Sequence, residues 1–156
     1  GARVIAMDVN ERRLEFCRAW AGAAETVDAR TEPLAKLKEL TGGELADVVF
    51  DATGNKTSME GSFAYAASGG TVVFVGLVKG TVAMDDPEFH RRELTLMGSR
   101  NATREDFVHV ASALRQGLVD VGPYVTHRAP LEEAAVAFHS WLSPESGVIK
   151  AIVEIG

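Results

Sequence analysis

The alternation of strand-length apolar runs with stretches of helical period most narrows what this chain can fold into. RVIAMD (3–8) reads as a buried strand, followed by a helix over about Asn10 to Ala21 that turns Leu14, Cys17, Arg18 and Ala21 to one side. ETVDA (25–29) is a short strand, and TEPLAKLKEL (31–40) a helix with Leu34 and Leu37 on one face, stopping at Gly42-Gly43. DVVFDA (47–52) is a nearly continuous apolar strand, as expected where both sheet faces are covered. The helix after it, about Thr57 to Ala67, faces Met59, Phe63 and Ala66 inward, and Gly69-Gly70 is expected to turn the chain into the strand TVVFVG (71–76). Strands joined through helices predict an α/β fold: a Rossmann-like parallel sheet with helices on both faces.

Beyond Leu77 the rhythm loosens. The segment 79–93 combines an extended piece with one or two helical turns from Pro87, a favoured first helical residue. LTLMGS (94–99) is a strand, and REDFVHVASALRQG (104–117) is an amphipathic helix through Phe107, Val110, Ala111 and Leu114. GPYVTHRAP (122–130) reads as a loop or edge strand, LEEAAVAFHSWL (131–142) as a helix and GVIKAIVEI (147–155) as a final strand.

Composition excludes several function classes. The 156 residues suit one ordinary domain, 46% hydrophobic and 24% charged, with a net charge of −6 and no basic run to hold nucleic acid. The longest apolar run, TVVFVGLV (71–78), is too short to span a bilayer. One cysteine, Cys17, precludes an internal disulfide and any multi-cysteine metal site within the chain. His90, His109, His127 and His139 share no metal-ligand spacing, and Arg91-Arg92 beside Glu93 reads as a solvated face. A cytoplasmic protein, with neither membrane nor nucleic acid as its main partner, is the expectation.

Ligands of open α/β sheets bind beyond the carboxyl ends of the strands. Those ends are Asp8, then Ala52-Thr53-Gly54, Gly76-Leu77 and Ser99-Arg100-Asn101. A carboxylate at Asp8 could accept two hydrogen bonds from the vicinal hydroxyls of a ribose, and Arg13 could reach the same ribose or lie over an adenine. Such a carboxylate repels a 2′-phosphate and so favours NAD over NADP. Local sequence alone favours the simpler role of helix N-cap for Asp8, with Asn10 competing for it. Gly54 and Gly76 would let a ligand approach the backbone, or serve as ordinary turn glycines.

Taken in order, ARVIAMDVNERRLEF, DVVFDATGN, GGTVVFVGL, ELTLMGSRNA, PLEEAAVAF and GVIKAIVEI resemble the zinc-type medium-chain alcohol dehydrogenases along the whole chain. PEFHRRELTLMGSRNAT is most similar to the polyol, threonine and sugar-acid branch, including dehydrogenases of galactonate or gulonate. The resemblance implies NAD as cofactor, with Asp8 on the adenosine ribose and Arg13 beside it. It implies that Ala52, Thr53 and Gly54 line the adenine and ribose side, ahead of Gly76 and Leu77. Backbone groups at Val75, Ser99 and Asn101 would hold the nicotinamide carboxamide, and Lys150 would lie near the pyrophosphate. The activity implied is hydride transfer from a secondary alcohol to the nicotinamide, with zinc as Lewis acid.

The same resemblance shows what this chain does not contain: the zinc-ligand residues, and the first strand, glycine-rich loop and first helix of the nucleotide fold. The expectation is therefore a C-terminal fragment, inactive alone, with a partial NAD-binding domain over 1–121 and, over 122–156, a segment returning to the catalytic domain. In the strand order 3-2-1-4-5-6, losing strand 1 leaves two interior edges unpaired. Closure of the first strand here onto DVVFDA, or pairing between chains of a homo-oligomer, would repair them, whereas the last strand is expected to lack a sheet. A methyltransferase-like nucleotide fold and an inactive oligomerising module are the alternatives.

Overall fold

The computed structural model describes residues 1–156, the side chain of Pro144 excepted. Seven strands and six helices follow in the order β1 (Ile5–Asp8), α1 (Glu11–Ala19), β2 (Glu25–Asp28), α2 (Pro33–Leu40), β3 (Ala46–Asp51), α3 (Lys56–Ser62), β4 (Ala66–Phe74), α4 (Asp86–Arg91), β5 (Thr95–Gly98), α5 (Arg104–Arg115), β6 (Val125–Pro130), α6 (Ala134–Trp141) and β7 (Lys150–Glu154). All the strand ladders are parallel and fall into three sheets, β1-β2, β3-β4-β5 and β6-β7. The chain divides into two compact units, one of Gly1–Asp28 with Ala102–Gly156, the other of Ala29–Asn101.

The unit Ala29–Asn101 holds the main core. Phe63, Ala66, Val72 and Leu94 are buried together, and Val49, Phe74 and Phe89 pack against them. Phe63 meets Phe74 and Phe89 edge-on, with centroids 5.7 and 6.1 Å apart, a geometry the ring quadrupoles favour. The apolar residues anticipated on the helix after β3 are buried as expected, although α3 ends at Ser62 and a 3₁₀ turn (Phe63–Tyr65) delivers the chain straight into β4.

Gly69 and Gly70 bend the chain within β4 rather than ahead of it, Gly69 at φ 75°. They lie inside β4, where the ladder to β3 shifts register between the Ala46–Ala66 and Val48–Thr71 pairs. Gly70 is needed there, because a Cβ would stand 2.8 Å from the Ala67 carbonyl oxygen. Arg92 is also not a solvated residue. Its guanidinium is 11% exposed and donates to the carbonyls of Phe63 and Ala66, both at 2.7 Å, while its own carbonyl accepts from the Gly69 amide. Arginine suits this place because its planar fork can satisfy two backbone acceptors at once.

The expectation that both faces of β3 are covered is corrected. Val48 and Phe50 share one face of the strand and are exposed, Phe50 to 69%. The alternating side chains of a strand make this an uncovered face rather than a disordered one.

In the other unit, Leu14 of α1 and Val27 of β2 are buried where the helix packs on the β1-β2 pair. Phe16, Trp20 and Tyr124 stack in series, and the Trp20 indole donates to the Asp120 carbonyl. The final strand does have a sheet, contrary to expectation: β7 ladders onto β6, the segment read as loop or edge, with Arg128 and Glu154 paired at 2.9 Å across it. The last helix starts later than the sequence pattern, since Leu131–Glu133 form a 3₁₀ turn before α6. Helix α5 forms as anticipated and has a capping box between Thr103 and Asp106, but its apolar face stays open, Phe107 being 69% exposed.

The pairing of β1 with β2 and of β3 with β4 and β5 reproduces the 3-2 and 4-5-6 halves of the doubly wound order. Closure of β1 onto β3 is not among the ladders of the described residues.

Candidate functional site

Asp8 closes β1 and is half-buried. The cap of α1 is Asn10, whose side-chain oxygen accepts from the Arg12 and Arg13 amides at 3.0 and 3.4 Å. The local preference for Asp8 as cap is thereby resolved against it. One Asp8 oxygen, Oδ1, accepts the Asn10 amide at 2.8 Å, which fixes the carboxylate's orientation. The other, Oδ2, has the Arg13 guanidinium 3.9 Å away, a loose and largely solvated approach. Asp8 thus presents an oriented acceptor at the strand's carboxyl end, with a cation at its side. Lys150, in the same unit, begins β7 as an exposed residue, and its carbonyl accepts from the Thr126 hydroxyl.

The second group of strand ends lies in the unit Ala29–Asn101, where two of them touch. The Asp51 carbonyl at the end of β3 accepts both the Val75 and Gly76 amides, at 2.8 and 2.9 Å, drawing the end of β4 against it. Gly54 is left-handed at φ +62°, and a Cβ on it would lie 3.2 Å from the Leu77 carbonyl oxygen. A Cβ on Gly76 would fall onto the Gly54 nitrogen and within 2.9 Å of its α-carbon. Two backbones meet here without side chains between them, which only glycine permits. Ala52 and Thr53 beside this contact are exposed.

The neighbouring strand end is set by the ladder. The Ser99 amide donates to the Phe74 carbonyl at 2.8 Å, so Ser99, like Val75, has its N–H engaged by the neighbouring strand. Asn101 is left-handed at φ 61°, a conformation asparagine tolerates better than most residues.

Sequence reasoning missed Asp51. It is 5% exposed, accepts the Thr53 amide and hydroxyl on Oδ1 at 3.0 and 2.7 Å, and accepts the Ser58 hydroxyl on Oδ2 at 2.6 Å. The available signal was an acid ending an apolar strand, with hydroxyl residues two and seven positions on. No group of three or more His, Cys, Asp and Glu that could hold a metal occurs among the described residues.

Comparison with known proteins shows the family of this chain. The family described as Zinc-binding dehydrogenase matches residues 1–116. The chain belongs to that family. Among the relatives, L-galactonate-5-dehydrogenase of Escherichia coli (strain K12) is 38% identical over 154 residues, covering 98% of this chain and 45% of that protein. L-threonine 3-dehydrogenase of Bacillus licheniformis is 32% identical over 154 residues, covering 97% of this chain and 44% of the relative. In three dimensions the chain superimposes over its full length on 45% of an NAD-dependent alcohol dehydrogenase, with a TM-score of 0.83 and 31% identity. The chain therefore spans a little under half the length of the relatives it matches. The family works with a nicotinamide dinucleotide and zinc, and the matched part is the one that binds the dinucleotide.

Proposed function

We propose that this chain is the cofactor-binding portion of a zinc-dependent, NAD-dependent dehydrogenase. The substrate proposed is a polyol or sugar acid of the galactonate or gulonate kind, whose secondary alcohol is oxidised to a ketone. The observation that carries the cofactor assignment is the Asp8 carboxylate, released from capping by Asn10 and oriented by the Asn10 amide. Its acceptors suit the two ribose hydroxyls of NAD, and its charge opposes the 2′-phosphate of NADP. Arg13 would lie beside that ribose, and Ala52, Thr53 and Gly54 would line the adenine and ribose side. The close backbones at Gly54, Gly76 and Leu77 would leave room for the dinucleotide to follow the strand ends.

A carboxamide needs two acceptors for its NH₂ and one donor for its oxygen. The carbonyls of Val75 and Ser99 would supply the acceptors and the Asn101 amide the donor, holding the nicotinamide in one orientation. Lys150 would serve the pyrophosphate. Zinc, when bound, would supply Lewis acidity to the alcohol oxygen. No group of His, Cys, Asp and Glu among the described residues would hold that zinc.

The substrate class rests on the similarity to L-galactonate-5-dehydrogenase. Residues 1–121 are assigned to the nucleotide-binding domain and 122–156 to a segment joining the catalytic domain, in a cytoplasmic homo-oligomer that holds neither membrane nor nucleic acid. No helix among the described residues is long and apolar enough to cross a membrane. Family membership displaces the methyltransferase-like alternative.

The test is a titration of the full-length protein with NAD and NADP, followed by turnover on a panel of sugar acids, polyols and threonine. NAD is expected to bind at least about tenfold more tightly than NADP, with Asp8→Ser narrowing the gap. Equal binding of both dinucleotides, or an Asp8→Ser variant with unchanged preference, contradicts the assignment.

A further inference from the structure

We infer that Asp51 is a positioning residue, whose buried carboxylate sets where the Thr53–Gly54 backbone stands against Gly76 and Leu77. The inference rests on the NAD-binding reading and names a residue that reading does not use. Four residues close a ring of hydrogen bonds across the strand, turn and helix. Asp51 accepts the Thr53 hydroxyl and amide, and the Thr53 hydroxyl accepts the Asn55 amide at 3.0 Å. The Asn55 side chain caps α3 by accepting the Ser58 amide at 3.2 Å, and the Ser58 hydroxyl returns to Asp51 at 2.6 Å. Gly54 is the one residue of the turn between Thr53 and Asn55, held at φ +62° inside that ring.

The partners of the Asp51 carboxylate among the described residues are neutral donors. A buried carboxylate is costly unless its lone pairs are satisfied, so the donors must come to it and stay. The turn is therefore pinned from the strand side by the carboxylate. It is pinned from the other side by the backbone contact with Gly76 and by the Asp51 carbonyl, which holds the Val75 and Gly76 amides. Side chain and carbonyl of one residue thus fix two strand ends relative to each other. An amide at position 51 turns a donor toward the Ser58 or Thr53 hydroxyl and opens the ring while conserving shape.

The experiment compares full-length wild type with Asp51→Asn, Asp51→Glu, Ser58→Ala and, as a stability control, Leu37→Ala, which removes a buried side chain of α2. Readouts are the melting temperature, the NADH dissociation constant, kcat against KM for NAD, and hydrogen exchange of the Thr53 amide. Asp51→Asn is expected to raise the NADH dissociation constant and the KM for NAD roughly tenfold, as for loss of one to two hydrogen bonds. In the same variant kcat at saturating NAD should stay within about twofold, and Thr53 exchange should be accelerated. Leu37→Ala should lower the melting temperature without weakening NADH binding. An Asp51→Asn variant that binds NADH like wild type, or no worse than an equally destabilised Leu37→Ala, overturns the inference. If Asp51→Asn does not fold, Ser58→Ala carries the same test, with a smaller expected loss and the same overturning result. If wild type itself binds no dinucleotide, the cofactor reading fails alone. Thr53 exchange then decides the positioning role, unchanged exchange in Asp51→Asn sinking it and faster exchange upholding it.

Discussion

A methyl group on residue 76 would be driven into the Gly54 backbone, so the strand ends around it tolerate no enlargement. Gly76→Ala is expected to cost about 2 kcal/mol or more through forced separation of the two backbones, measured by denaturant unfolding. Gly98 offers a comparison, since a Cβ there meets nothing within 4 Å and Gly98→Ala should be far milder. Asp106 illustrates a different residue-level effect. The backbone amide and then the hydroxyl of Thr103 hold its carboxyl below the usual carboxylate range. A carboxyl whose folded value is depressed adds stability above its unfolded value and loses it as pH falls through the folded one. Helix α5 should therefore weaken on acidification below about pH 4, and Asp106→Asn should flatten that dependence in an acid titration followed by circular dichroism. Asp8 and Gly54 were readable as candidates because an acid and a glycine at strand ends stand out. Asp51 was not, because its importance lies in which hydroxyls fold back onto it.

At the level of elements, packing rather than propensity sets what each helix contributes. Helix α1 buries Leu14 to 1% exposure against the β1-β2 pair, whereas of the other residues anticipated on that side Cys17 is half-buried and Arg18 and Ala21, the latter beyond the helix end, are exposed. Leu14→Ala should cost about 2–5 kcal/mol, measured by thermal or denaturant unfolding, while Arg18→Ala should be close to neutral. Helix α5 has better caps and a clearer apolar stripe, yet that stripe is open, so Phe107→Ser should leave the folded stability of this chain nearly unchanged. Most elements were legible in the sequence because periods of two and 3.6 residues are local properties. The exceptions have a common cause. Gly69 and Gly70 fall inside β4 because its ladder to β3 begins before them and shifts register across them, and Arg92 resembles a surface charge until the carbonyls of Phe63 and Ala66 meet it. Long-range hydrogen bonds decide both, and no sequence window contains their partners.

Across the whole chain, large apolar side chains are exposed in each of the two compact units, among them Phe50 on β3 in one and Phe107 on α5 and Val136 on α6 in the other. Where such side chains join into a large exposed patch, they mark a surface covered in an assembly. The 156-residue chain alone is expected to self-associate at raised concentration, and Phe50→Lys combined with Phe107→Lys should shift it toward monomer in sedimentation velocity. A monomeric parent chain at all concentrations would contradict that expectation. The alternation of strand and helix periods was enough to predict a parallel α/β chain, because periods are local, and the family was reached through the resemblance of the ordered motifs to the zinc-type dehydrogenases. The pairing of β7 with β6 and the open face of β3 came from three-dimensional packing. Each depends on which donors, acceptors and apolar faces find partners far along the chain, and that competition is settled only when the chain is folded.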